Sequence, residues 1–116
     1  MLRKSEQKET VQKPAPFDGN GEIIVRSLLN GSTEMSGKGR VFAHTTVLPG
    51  AAIGYHVHQG DSETYYILSG TGRYNDNGVL CTVTAGDVTY TASGQGHGIE
   101  TMGDEAVEMI ALILYE

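Results

Sequence analysis

The sequence predicts an all-β domain, and three observations carry that expectation. Glycine occurs sixteen times in 116 residues, roughly twice its usual share. Short runs rich in Val, Ile, Thr and Tyr recur along the chain, each bounded by glycine or by Asp and Asn, which is the pattern of strands joined by tight turns. No stretch keeps a helical apolar period long enough to bury one face of a helix. The length suits one core and leaves no room for a second domain beside it.

The elements follow in order. Residues 1–21 are polar and interrupted by Pro14, Pro16, Gly19 and Gly21, so they read as an N-terminal arm with one short strand at most. The domain proper spans 22–116. It opens with a β-rich stretch over 23–29, then a Gly- and Ser-rich loop over 30–39. A strand over 40–48 follows and ends at the Pro49-Gly50 turn. A meander comes next, with strands over 52–58, 63–69, 72–75, 79–84, 87–92, 98–102 and 107–115. Asp76-Asn77-Gly78 is the clearest local signal, because Asn and Gly tolerate the positive φ of a tight hairpin turn. The last strand is apolar on both alternating faces after Glu108. Both faces should therefore be covered, one by the core and the other by a second layer or a second copy of the chain.

Charge narrows the partners. The formal net charge is −6. Arg3, Lys4, Lys8 and Lys13 sit in the opening segment, and only Arg26, Lys38, Arg40 and Arg73 lie beyond it. Four scattered cations do not form a face that neutralises phosphates, so no nucleic-acid partner is expected. No apolar run reaches the roughly 20 residues that span a bilayer, and the N-terminus is not signal-like, so no membrane partner is expected and the cytoplasm is the expected location. Cys81 is the only cysteine. No intramolecular disulfide is possible, and its setting in 79–83 reads as a buried strand interior.

Three of the four histidines fall in a metal-binding pattern. In His56-Val57-His58, residues two apart point to one face of a strand, so both imidazoles can converge on one ion. The chain reverses over 59–62 and returns Glu63 on a neighbouring strand as a harder ligand. His97 would complete the set from a distant turn. An H-x-H pair alone is also what a surface strand carries with no ion at all, and the flanking residues bear on that choice.

Gly50, His56, His58, Glu63 and Gly70 are spaced as in the first motif of the cupin superfamily, which this stretch resembles at every fixed position. Gly86 followed by Ala92-Ser93-Gly94-Gln95-Gly96-His97 is similar to that family's second motif, with Ala92 where proline is usual and Thr101 where asparagine is usual. Neither replaced residue would donate to a metal, so the departures bear on turn geometry and not on ligation. Thr71 to Ala85 separates the motifs, as in compact microbial members, and the resemblance covers roughly residues 40 to 115.

The resemblance implies a double-stranded β-helix, a jelly-roll barrel. It also implies one divalent transition metal (Mn, Fe, Ni, Co or Zn) on His56, His58, Glu63 and His97, and commonly a homodimer. The family spans enzymes and non-enzymatic proteins, so the fold does not choose a reaction. Two functions remain open: a metal-dependent dioxygenase or decarboxylase acting on a small oxygenated compound, or a non-catalytic binding or sensing barrel with a metal site. In the first, Glu63 doubles as base. Tyr65, which shares strand parity with Glu63 and should point inward, is the second catalytic candidate. Tyr55, Tyr90, Met102 and His44 are further candidates near the site, His44 more readily as a packing or interface residue. The paucity of Arg and Lys favours a neutral or mono-carboxylate small-molecule ligand over a sugar phosphate, with Arg40 or Arg73 as the available charge partners.

Overall fold

A computed structural model describes all residues 1–116. A single 3₁₀ turn precedes β1 (Thr10–Pro14), and a one-turn helix over Gly31–Glu34 lies within the segment expected to be loop. The other strands are β2 (Glu22–Leu29), β3 (Gly39–Val47), β4 (Ala52–Val57), β5 (Asp61–Ser69), β6 (Gly72–Asp76), β7 (Val79–Val83), β8 (Val88–Thr91), β9 (Gly96–Thr101) and β10 (Val107–Tyr115). They form two antiparallel sheets, β1-β2-β3-β10-β5-β8 and β4-β9-β6-β7.

The pairing from β3 onward is nested: β6 with β7, β5 with β8, β4 with β9 and β3 with β10. Val47 and Val107 pair, each thirty residues from Asn77, and Glu63 and Thr91 pair, each fourteen residues from it. The chain is thus one long antiparallel ribbon folded at Asn77-Gly78 and wound into a double-stranded helix. Asn77 at φ 49° and Gly78 at φ 99° give the turn the left-handed residues that match strand twist. The expected hairpin tip is therefore the symmetry point of the fold.

Alternation decides what enters the barrel. Along β5, Asp61, Glu63, Tyr65 and Ile67 are buried while Tyr66 and Leu68 are exposed. Along β10, Val107, Met109, Ala111 and Ile113 are buried, and Glu108, Ile110 and Leu112 are half-buried on the opposite face. The aliphatic core includes Val47, Ile67, Ile99, Val107 and Met109. Cys81 lies in the middle of β7, as expected, but it is exposed and not buried. Its strand is the edge of the smaller sheet, and only Val83 there reaches the core.

The end of residues 1–21 is tied to the barrel. β1 adds to β2, with Lys13 opposite Ile23, and Asn20 bridges to Ala52. Gly54 donates to the Pro16 carbonyl at 3.1 Å. A Cβ at Gly54 would lie 1.7 Å from the Phe17 carbonyl oxygen, so only glycine admits this contact.

Candidate metal centre

Nested pairing places His56 directly opposite His97, although about forty residues separate them in the chain. His58 follows the end of β4, and Glu63 reaches the same point from the inner face of β5. The four side chains each offer a ligand atom, all within 4.8 Å of one another. His58, Glu63 and His97 are buried, and His56 is half-buried at the mouth. The structure thus brings together the four residues that the sequence singles out.

Each imidazole is oriented by a partner on Nδ1. His56 Nδ1 lies 2.8 Å from the Gly54 carbonyl, His58 Nδ1 2.7 Å from Asp61 Oδ1, and His97 Nδ1 2.8 Å from Tyr74 Oη. A carbonyl and a carboxylate only accept, so His56 and His58 carry their ring proton at Nδ1 when neutral. Their Nε2 lone pairs then face the centre. Asp61 is in turn fixed by Arg40, whose Nε donates to Oδ2 at 3.0 Å, and Tyr74 by Thr91 Oγ1 at 3.1 Å.

The central contacts are close. His97 Nε2 lies 3.0 Å from Glu63 Oε1, His58 Nε2 lies 3.2 Å from the same oxygen, and the two Nε2 atoms are 3.1 Å apart. Two lone pairs and a carboxylate at this spacing repel unless a cation sits among them. With bonds of about 2.1 Å, ligand atoms at right angles lie about 3.0 Å apart. The donor set and its spacing therefore fit a transition-metal ion held by imidazole and carboxylate.

Without an ion, protons take its place. Burial would raise the Glu63 carboxyl, but hydrogen bonds from His58 and His97 outweigh it and hold the group at about 2. The bond to Glu63 raises His58, against burial, with Asp61 adding to the rise. Burial lowers His56, with the Gly54 carbonyl opposing. Burial, then the Glu63 charge, pushes the Tyr65 phenol well above its ordinary value. Tyr65 is thus a neutral proton donor, and its ring stacks on His97 at 5.0 Å.

The centre opens into a cavity of about 500 Å³. Arg40, Lys13, Asp61 and Gln59 line it with His56, His58, Glu63 and Tyr65, and the remaining wall is apolar apart from Thr45. Phe17 closes one edge, its ring stacked on His56 at 3.8 Å and 12°. Tyr55, Tyr90, Met102 and His44 do not line it. Tyr55 adjoins His56 and so faces out, and Tyr90 lies between the buried Thr89 and Thr91 with the same result. His44 is on the outer face of the large sheet, 2.7 Å from Glu108, and Arg73 sits on β6 beside Glu100 on the outside of the small sheet. Asp61, Tyr74 and Phe17 were not anticipated. Asp61 and Tyr74 share inward parity with Glu63 and with buried Gly72, a signal present in the sequence, but their targets depend on pairing between distant strands.

Comparison with known proteins agrees with the fold. A family model described as "Cupin domain" matches residues 43–113. An oxalate-binding protein of Thermotoga maritima is 42% identical over 96 residues, covering 83% of this chain and 78% of that protein. A crystal structure of a predicted oxalate decarboxylase from Thermotoga maritima superposes with a TM-score of 0.93 at 36% identity, covering 100% of both chains. An uncharacterised conserved protein with a double-stranded β-helix domain from Klebsiella pneumoniae gives a TM-score of 0.67 at 26% identity, covering 89% of this chain and 90% of that one.

Proposed function

The chain belongs to the cupin family, and from that premise we propose that it binds one divalent transition ion through His56, His58, Glu63 and His97 and presents it to a small carboxylate or similarly oxygenated compound, which it decarboxylates or dioxygenates. One observation carries the reading. Imidazole Nε2 atoms and a carboxylate oxygen converge at 3.0 to 3.2 Å, with the Nδ1 atoms committed elsewhere. The relative named for oxalate binding supports the carboxylate class.

A bound Mn, Fe, Co, Ni or Zn ion supplies a Lewis acid with positions open to substrate oxygens, and redox chemistry where the ion allows it. The chain's own groups do the rest. Glu63 is ionised at neutral pH, and any loosening of its imidazole bonds leaves burial to raise it, which makes it a stronger base. The Tyr65 hydroxyl keeps its proton and donates to an oxygen anion forming on the substrate. Arg40 and Lys13 draw the anion in.

A second reading, binding without turnover, is favoured by the name of the curated relative. Elemental analysis of protein purified without a metal-affinity tag, beside the His56→Ala/His58→Ala variant, tests the shared premise. Near-stoichiometric metal in the native protein alone supports it. No metal in either, even after reconstitution, sinks it. Release of carbon dioxide from oxalate or another small carboxylate by the loaded protein, or uptake of dioxygen, separates an enzyme from a binder.

We also propose a homodimer. The outer face of the large sheet carries Phe42, Tyr66, Ile110 and Leu112 in register. Among them lies the half-buried polar chain of Arg26, Thr46, Glu108 and His44, an arrangement suited to a second copy across a two-fold axis.

A further inference from the structure

We infer that the ligand of this cavity is a carboxylate bearing an apolar body of roughly six to ten carbons, not a bare dianion such as oxalate; the inference rests on the metal-site reading above. The cavity, about 500 Å³, is of the size that holds a drug-like molecule, roughly 300–1,000 Å³. Oxalate, two carboxylates joined carbon to carbon, fills a small part of it and presents no apolar surface.

The wall chemistry is uneven. Polar groups gather where His56, His58, Glu63, Asp61 and Arg40 meet. Away from them, the inner face of the large sheet runs through Val25, Val41, Met109, Ala111 and Ile113, with Thr45 the one polar side chain in the row, opposite Val25 and Met109. Val25 and Val41 pack against the core but are only half-buried, because their other side faces the cavity. A small dianion would leave this aliphatic row facing water, whereas a hydrocarbon body would cover it.

The head group follows from charge. Glu63 and Asp61 are matched by Arg40 and Lys13. A divalent ion adds two positive charges that nothing else in the cavity offsets; this draws a carboxylate head to the centre, and the aliphatic wall, not the charge count, is what favours an apolar body on the ligand. Arg40 is held by Asp61 at 3.0 Å, and Lys13 stands at the rim on β1. Phe17, 55% exposed and flat against His56, offers the tail an aromatic edge at the opening.

Titration calorimetry on the cobalt-loaded protein, with oxalate, acetate, butyrate, hexanoate and phenylacetate as probes, tests the inference, and the cobalt absorption spectrum reports whether the head reaches the metal. Affinity should rise about two- to fourfold per methylene from acetate to hexanoate, with hexanoate and phenylacetate tighter than oxalate. Val25→Thr/Val41→Thr, which changes polarity at constant shape, should remove about tenfold of that gain and leave oxalate and acetate unaffected. Oxalate binding tighter than every longer acid, with the cobalt spectrum responding, overturns this inference and leaves the metal-carboxylate reading intact. No response to any carboxylate on protein that holds cobalt overturns both. No retention of cobalt overturns the reading beneath them.

Discussion

Replacing Tyr74 by Phe removes one oxygen and tests the orientation of His97. Tyr74 is 1% exposed, and its hydroxyl spans His97 Nδ1 at 2.8 Å and Thr91 Oγ1 at 3.1 Å. To present a lone pair to a metal at Nε2, His97 must carry its proton at Nδ1 and donate it to Tyr74. Phenylalanine cannot accept it, so the metal-bound form would hold a buried N–H without a partner, at a cost of about 1–3 kcal/mol. The apo form escapes part of this cost. There His97 can move its proton to Nε2 and donate to Glu63 at 3.0 Å, leaving a bare Nδ1 lone pair in place of an unpaired N–H. Tyr74→Phe should therefore weaken metal binding about tenfold and cost apo stability about 1 kcal/mol. Competition against a chelator and urea unfolding of the apo protein measure the two terms. Metal affinity within twofold of native refutes the reasoning, because Tyr74 would then act only through packing.

Asp61→Asn keeps the shape but removes the charge that holds His58 Nδ1–H at 2.7 Å; metal affinity should fall about tenfold, with chelator competition as the check and an unchanged constant as the contrary result. In acid, the apo protein should lose stability through Glu63. Its carboxyl, near 4.5 when unfolded and about 2 when folded, contributes fully above pH 4.5 and progressively less as pH falls towards 2, about 3 kcal/mol in all. Urea midpoints across that range should fall for the native protein and less for Glu63→Gln, and parallel curves would contradict the assignment. Ile110→Lys/Leu112→Lys, on the outer face of β10, should convert a dimer to monomer in sedimentation velocity without releasing metal; an unchanged dimer would place the interface elsewhere.

Alternation made the strands legible, with the shared facing of His56 and His58 and of Glu63 and Tyr65, because a strand announces itself through neighbours two apart, a local rule. The full set with His97 came instead from the resemblance of the two motifs to a known family. The rule also argues against Tyr55 and Tyr90 as site residues, since their immediate neighbours face inward. Cys81 illustrates its limit. Alternation says which face a residue takes, but whether that face is covered depends on the neighbouring strand, and β7 is at a sheet edge. Phe17 and Asp18 left no local signal, since both adopt positive φ, 62° and 56°, where Phe in particular is disfavoured. Their conformation is imposed by the close approach to Gly54 and by the ring stack on His56.

The ribbon topology explains why the candidate metal centre and the cavity occupy the same end of the barrel. Nested pairing about Asn77 brings β4 beside β9 in the small sheet and β5 beside β8 in the large one. Ligands from both halves of the ribbon, and from both sheets, therefore meet where the sheets face each other. Aliphatic contacts such as Val47 with Val107 pin the ribbon further along, but at the ligand end the sheets stand apart. Polar side chains and the N-terminal segment line the gap. An ion held by β4, β9 and β5 would tie the two sheets across that gap. It would stabilise the fold by about 4 kcal/mol at a thousandfold excess over its dissociation constant. Pro16 and Phe17, beyond the end of β1, then complete the cavity wall that neither sheet supplies. The part of the chain that reads as the least structured in the sequence is therefore the part that closes the cavity beside the candidate centre.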